Sequence, residues 1–129
     1  MAYPLTALAT LACLIVYFFS AVQVARARAR YGVKAPAVTG SEGFERTFRA
    51  QQNMLEWMPL FLPALWLFAL VWSDRWAAVL GLAWTLARLG YVLTYAAEAR
   101  KRTPYFLAQL LAFMALWAGA VAGVLRGLF

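Results

Sequence analysis

The chain has 129 residues, of which 65% are hydrophobic and only 13% are charged, with a formal net charge of +7. A soluble domain is about 45–50% apolar and about 25% charged, so this composition excludes a soluble enzyme, a disordered protein and a nucleic-acid-binding domain. Histidine is absent and Cys13 is the single cysteine, which excludes an intramolecular disulfide, a His/Cys metal site and histidine-dependent nucleophilic catalysis.

Four apolar segments follow one another along the chain, and each predicts a membrane-spanning helix. Leu5–Ala25 is a charge-free run of about 21 residues, close to the roughly 20 that cross a bilayer. No Lys or Arg precedes it, so it indicates a span and not a signal peptide. Trp57–Trp72 and Trp76–Tyr95 form a hairpin around a very short connection, and Thr103–Leu125 is again free of charge. We therefore predict an all-α integral membrane protein, a single four-helix bundle over residues 1–129 with helices at about 4–30, 43–72, 75–99 and 103–127.

Basic residues are distributed unevenly among the connections. The first connection and the start of the second helix contain Arg26, Arg28, Arg30, Lys34 and Arg46. The third connection contains Arg100, Lys101 and Arg102, whereas the hairpin has only Arg75. Loops rich in Lys and Arg stay on the cytoplasmic side and attract anionic lipid. We therefore predict that the first and third connections face the cytoplasm and that both termini lie outside it. The short loops favour a bacterial inner membrane.

Polar residues within the second and third helices each fall on one narrow face. Each residue of an α-helix turns the chain by about 100°. On the second helix, an arc of about 80° of the helix circumference therefore contains Arg46, Arg49, Asn53 and Glu56. An arc of similar width holds Arg88, Tyr91, Tyr95, Glu98 and Arg102 on the third. Both polar halves adjoin the predicted cytoplasmic connections. Because an ionisable group at mid-bilayer costs at least about 2.5–3.5 kcal/mol, we expect the arcs to face one another across a wet cleft or to face a neighbouring subunit.

The residue types in these arcs indicate the chemistry of a ligand. Arginine forks bind carboxylates, a carboxylate binds an ammonium group, and a guanidinium or phenol stabilises a thiolate or an oxyanion. The combination predicts a small zwitterionic ligand with more negative than positive charges, and a second, lipophilic reactant that enters from the bilayer. The alternative is that ion pairs such as Glu45–Arg49 or Glu56–Arg88 only hold the helices together.

These same residues carry a resemblance to a known family. The segment 44–56, FERTFRAQQNMLE, followed by Pro59-Leu60-Phe61, resembles the signature of the MAPEG family, the membrane-associated proteins in eicosanoid and glutathione metabolism. Ala87–Tyr91, with Tyr95 and Arg102, resembles the third-helix segment of that family. The resemblance covers residues 23–106 and implies a four-helix protomer, a homotrimer in membrane lipid, and glutathione as co-substrate between adjacent subunits near the cytosolic side.

The resemblance also implies roles for individual residues. Contacts to glutathione from one subunit would come from Arg49, Asn53, Glu56, Arg88, Tyr91 and Tyr95. Glu56 would hold the γ-glutamyl ammonium group, and Arg28 and Gln51 would come from the neighbouring subunit. Arg102 would be the catalytic residue that stabilises the glutathione thiolate, so the chain needs no nucleophile and no metal of its own.

The expected function is a membrane-bound glutathione transferase of detoxification type, which conjugates the thiolate to lipophilic electrophiles and also acts as a peroxidase on lipid hydroperoxides. One alternative is a non-catalytic, lipid- or partner-binding membrane protein of the same family. Arguing against it is the joint presence of Arg49, Asn53, Glu56, Tyr91 and Tyr95. Another is a small multidrug exporter, which would need an acidic residue in the first span; Leu5–Ala25 has none.

Overall fold

The computed structural model describes residues 1–129 as a bundle of helices. Helix α1 covers Pro4–Tyr31, α2 covers Glu42–Val71, α3 covers Asp74–Ala97 and α4 covers Thr103–Leu128, and a short 3₁₀ turn, Ala99–Arg102, joins α3 to α4. Four helical segments are long and apolar enough to cross a membrane. The predicted all-α fold with four spans is therefore confirmed.

The helix ends follow local sequence signals. The Ser41 hydroxyl accepts a hydrogen bond from the backbone N–H of Phe44 where α2 begins, and the Ser73 hydroxyl accepts one from Trp76 where α3 begins. Such side-chain acceptors satisfy donors that the first helical turn leaves unpaired. Gly32 ends α1 with a φ of 66°, a left-handed conformation that glycine adopts without steric cost. The local chemistry thus places the end of α1 and the starts of α2 and α3.

Helix α3 ends earlier than the sequence periodicity predicts. Its last residue is Ala97, and Glu98 is extended, with φ −154° and ψ 121°. The assignment of Glu98 and Arg102 to the polar arc of a continuous third helix was therefore wrong. Pro104 lies in the first turn of α4, where its missing N–H is harmless, but it could not continue the hydrogen-bond ladder of α3. The chain reverses through the 3₁₀ turn instead.

Helices α2 and α3 form the centre of the bundle, with α1 and α4 packed against them from opposite sides. Phe61 of α2 stacks on Trp84 of α3, with ring centroids 3.8 Å apart and an interplanar angle of 4°. Gly81 of α3 permits a close approach, because a Cβ atom there would lie 2.8 Å from Leu65 Cδ1 and 3.3 Å from Ala9 Cβ. These contacts fix α2 against α3 and thereby the position of their polar ends.

The other end of the bundle is tied together by one carboxylate. Asp74, the first residue of α3, accepts hydrogen bonds from the backbone N–H groups of Leu5 at 3.0 Å and Thr6 at 2.7 Å. It also accepts one from the Thr6 hydroxyl at 2.7 Å. A helix leaves its first N–H groups without partners inside the helix, so Asp74 caps α1 from a neighbouring element and holds α1 against α3.

Large apolar side chains cover the outside of the bundle. Leu8 and Phe18 of α1, Leu86 of α3 and Leu111 of α4 are each exposed by 61–71%. A soluble monomer rarely exposes apolar surface on this scale, whereas a surface that meets lipid tails has to be apolar. The outer face of the bundle is therefore that of an integral membrane protein.

Candidate functional site

A polar cleft of about 250 Å³ opens where α2, α3 and the 3₁₀ turn meet. The residues that line it are Arg49, Gln52, Asn53, Glu56, Tyr91, Tyr95 and Arg102. All of them except Gln52 belong to the set that the sequence analysis selected. The two polar arcs thus meet at the same depth of the bundle, and Arg102 joins them from the turn.

Gln52 is the lining residue that the sequence analysis missed. It lies one helical turn before Glu56 on α2, at an i, i+4 spacing, and so next to it on the helix surface. Its angular position is about 40° beyond Glu56, outside the arc of about 80° that holds the other polar residues of α2. A wider arc around Glu56 would have included it.

The cation and the aromatic rings of the site form a column along α3. The centroids of the Tyr91 and Tyr95 rings are 5.5 Å apart. The guanidinium carbon of Arg102 lies 4.4 Å from the Tyr95 centroid, and that of Arg88 lies 4.2 Å from the Tyr91 centroid. Each ring attracts its guanidinium by a cation–π interaction. The column places one cation, Arg102, in the lining of the cleft and the other, Arg88, outside that lining.

Arg88 stands behind the cleft wall and does not line the cleft. Its side chain has no solvent exposure. The Nη1 atom of Arg88 donates a hydrogen bond of 2.8 Å to Oδ1 of Asn53, which does line the cleft. The contact with glutathione that the resemblance implies for Arg88 would therefore have to pass through a neighbouring side chain.

The charged residues of the cleft are not consumed by ion pairs. The ion pairs of the chain join Arg46 to Glu42 at 3.0 Å, and Glu98 to Arg100 at 3.7 Å and to Lys101 at 3.5 Å. The bracing pairs considered as an alternative, Glu45–Arg49 and Glu56–Arg88, are not formed. The carboxylate of Glu56 and the guanidinium groups of Arg49 and Arg102 are free to bind a ligand.

Arg28 and Gln51 lie outside the cleft of their own chain. Arg28 donates a hydrogen bond of 2.7 Å to the carbonyl oxygen of Ala37, and its guanidinium carbon lies 5.1 Å from the Phe44 centroid. Oε1 of Gln51 accepts a hydrogen bond of 3.3 Å from the Gln52 side chain. A role for Arg28 and Gln51 in the site of a neighbouring subunit stays a prediction.

An apolar groove of about 430 Å³ runs between α2 and α4. Its walls include Pro59, Pro63, Leu67, Phe113 and Trp117. Trp57, which follows Glu56 in α2, contacts Phe113 of this groove, with ring centroids 5.5 Å apart. Trp57 thus packs against one wall of the apolar groove and is the next residue along α2 after a residue that lines the polar cleft.

Known proteins are similar to this chain over almost its whole length, beyond residues 23–106. The model of the MAPEG family matches residues 6–122. An uncharacterized protein of Synechocystis sp. is 45% identical over 94% of this chain and 85% of its own length. Microsomal glutathione S-transferase 2 of Bos taurus is 40% identical over 89% of this chain and 77% of its own length. Leukotriene C4 synthase of Cavia porcellus is 37% identical over 94% of this chain and 81% of its own length.

Proposed function

Because the chain belongs to the MAPEG family, we propose that it is a membrane-bound transferase that conjugates glutathione to lipophilic electrophiles. The observation that carries this proposal is the cleft in which Arg49, Glu56 and Arg102 converge without pairing to one another. The similarity to a microsomal glutathione S-transferase supports a glutathione-related transferase activity and glutathione as co-substrate.

The charged side chains of the cleft are complementary to the charged groups of glutathione. Glutathione carries two carboxylates, one ammonium group and one thiol. Glu56 binds the ammonium group, Arg49 binds a carboxylate as a planar fork, and Asn53, Tyr91 and Tyr95 contribute neutral hydrogen bonds. With two arginines and one glutamate, the cleft itself is net positive, which suits a tripeptide with net negative charge.

Arg102 provides the electrostatics of the chemical step. A cation next to a thiol lowers the thiol pKa and raises the fraction of thiolate, which is the nucleophile. The thiol proton leaves to water, the sulfur forms a bond to the electrophilic carbon, and the leaving group departs with its electron pair. With a lipid hydroperoxide, two molecules of glutathione are oxidised to the disulfide while the hydroperoxide is reduced to an alcohol and water.

The lipophilic reactant reaches the thiolate from the bilayer. The apolar groove between α2 and α4 opens on the outer face of the bundle, and ligand pockets are predominantly apolar with few polar groups. Trp57 contacts Phe113 of the groove and follows Glu56 of the cleft. A lipophilic chain in the groove would place its reactive end toward the polar cleft.

The functional unit is a homotrimer in membrane lipid, with the site toward the cytoplasmic side and both termini on the other side of a bacterial inner membrane. The cleft of one chain, about 250 Å³, is smaller than the roughly 300–1,000 Å³ of ligand pockets. Arg28 and Gln51 of a neighbouring subunit would enlarge and complete it, which fits their position outside the cleft of their own chain.

Conjugation kinetics test this function with a matched pair of variants. Purified protein in detergent micelles is mixed with glutathione and chlorodinitrobenzene, and the absorbance of the conjugate is followed. We expect catalysis by the wild type, a large loss in Glu56→Gln, and wild-type rates in Glu42→Gln, whose carboxylate pairs with Arg46 outside the cleft. If calorimetry detects no glutathione binding to the wild type, the transferase is excluded and a non-catalytic lipid-binding function takes its place.

A further inference from the structure

We infer that Arg88 is a positioning residue that acts through Asn53. Its buried guanidinium holds the Asn53 carbonyl oxygen, so that the Asn53 amide turns its N–H groups, and not its oxygen, toward the ligand. This inference rests on the proposed function and deepens it, because it assigns a ligand-selecting role to a residue that does not line the cleft.

The contact between the two side chains determines which way the amide points. Nη1 of Arg88 lies 2.8 Å from Oδ1 of Asn53. An arginine side chain has donors only, so the amide atom that faces Arg88 has to be the oxygen. The Nδ2 group of Asn53 is left on the other side, and Asn53 is a lining residue of the cleft.

Arg88 is held in place from the side of α3. Its guanidinium carbon lies 4.2 Å from the Tyr91 centroid and 5.9 Å from the Trp84 ring. Trp84 is fully buried and stacks on Phe61 of α2. The guanidinium therefore sits between two aromatic rings of its own helix and points across to Asn53 on α2, which makes it a rigid link between the two walls of the cleft.

Stability of the bundle does not account for an arginine at this position. Arg88 has no solvent exposure and no carboxylate partner, and its Nε and Nη2 atoms have no hydrogen-bond partner in the chain. A buried charge without a counter-ion is destabilising, and an apolar side chain of similar volume is usually at least as favourable. Besides the contacts with the rings of Tyr91 and Trp84, the hydrogen bond to Asn53 is the one hydrogen bond that an apolar residue would lose.

The consequence for the ligand is a requirement for an acceptor at Asn53. An amide that is free to rotate offers either a donor or an acceptor to the ligand, whereas an amide whose oxygen is turned toward Arg88 offers its N–H groups on the opposite side. The group that glutathione places against Asn53 is therefore a carboxylate or a peptide carbonyl and not an ammonium group. Arg88 adds positive potential behind the same wall, which favours an anionic acceptor.

Two substitutions at Arg88 separate orientation of the amide from charge. Arg88→Met removes both the donor and the charge, while Arg88→Gln removes the charge but keeps a donor for Asn53. We expect Arg88→Met to weaken glutathione binding by about tenfold, the effect of one lost hydrogen bond, and Arg88→Gln to recover most of it. Arg126→Met, in the last turn of α4 beside Trp72, is the control and should bind as the wild type does. Equal losses in Arg88→Met and Arg88→Gln would overturn the role through Asn53.

Thermal stability distinguishes positioning from a general structural role. Because Arg88→Met removes a buried charge without a counter-ion, its melting temperature should be equal to or above that of the wild type while its affinity falls. If affinity and melting temperature fall together, and Arg88→Gln is no better than Arg88→Met, Arg88 is a structural residue and the inference is wrong.

Asn53 is the only asparagine of the chain, so selective 15N-asparagine labelling gives a single side-chain amide signal. In the ligand-free protein this signal should shift in Arg88→Met and stay in place in Arg126→Met. This readout does not depend on glutathione. A wild type that fails to bind glutathione would contradict the proposed function, but the labelled amide would still test the Arg88–Asn53 contact. If the wild type binds glutathione but neither the signal nor the affinity responds to Arg88→Met, the inference is overturned and the proposed function stands.

Discussion

The guanidinium carbon of Arg102 lies 4.4 Å from the centroid of the Tyr95 ring. Tyr95 belongs to α3, whereas Arg102 belongs to the 3₁₀ turn that follows this helix. The ring therefore orients a cation that the helix itself does not carry, and both side chains line the polar cleft. Because a cation at this position is the element that would stabilise a thiolate, the relation between these two side chains connects the fold to the chemistry.

Replacement of Arg102 should suppress formation of the thiolate. Arg102→Ala removes the cation next to the thiol, so the thiol pKa of bound glutathione returns toward its value in water and less thiolate forms at neutral pH. Arg102→Lys keeps a charge but loses the planar group that stacks on Tyr95, and an intermediate amount is expected. Thiolate absorbance is followed by rapid mixing of protein and glutathione. An Arg102→Ala protein with the wild-type signal would remove Arg102 from this role.

Substitution of Tyr95 tests whether the ring positions Arg102. Tyr95→Leu abolishes the cation–π interaction between two half-buried side chains. Because this interaction is worth at least about 0.5–1 kcal/mol, the thiolate signal should fall about two- to fivefold or more. Tyr95→Phe retains the ring and loses only the hydroxyl group, so it serves as the matched control. A loss in Tyr95→Phe as large as in Tyr95→Leu would mean that the hydroxyl, and not the ring, is the important group.

The role of Glu56 is tested with a modified ligand. Glu56→Gln should weaken glutathione binding by about 10- to 150-fold, since hydrogen bonds to charged groups contribute about 1.5–3 kcal/mol. For an analogue of glutathione without the amino group, the wild type and Glu56→Gln should bind with similar affinity in calorimetry. If the substitution weakens both ligands equally, Glu56 does not recognise the ammonium group.

Mixed oligomers test whether two chains share one site. Arg28→Ala and Arg102→Ala homo-oligomers should both be strongly impaired, because each lacks one half of every site. The two variants are then co-expressed in equal amounts and assemble at random into a ring with heterologous interfaces. An intact site forms wherever an Arg28→Ala chain, which retains Arg102, receives Arg28 from a neighbouring Arg102→Ala chain. About a quarter of the sites should then be intact. Activity no higher than the mean of the separate variants would show that each chain forms its site alone.

The α2 half of the site could be predicted from sequence because it depends on helical geometry alone. Arg49, Asn53 and Glu56 lie within an uninterrupted helix, and the structure brings all three to one cleft. Arg102 was assigned to the site by resemblance, but it was placed on a continuous third helix. It lies in the 3₁₀ turn instead, because α3 ends at Ala97. The position of this end depends on the chain reversal into α4, which residue periodicity does not encode.

The burial of Arg88 behind the cleft wall could not be predicted from the sequence. Its phase on α3 matches that of Tyr91 and Tyr95, so the periodicity predicts a residue in the cleft, but the packing of α2 against α3 buries it completely behind Asn53. Whether a polar side chain lines a cavity or supports its wall depends on the distance between two helices. This distance is set by contacts such as Phe61 on Trp84, far from the residue in question along the chain.

The most direct measurement is the structure of the protein in lipid nanodiscs with glutathione, determined by electron cryo-microscopy. We expect density for one tripeptide per chain between α2 and α3, with an amino group at Glu56, an acceptor oxygen at Asn53 and the sulfur next to Arg102. Density for glutathione elsewhere, or a cleft occupied only by lipid at saturating glutathione, would contradict the account.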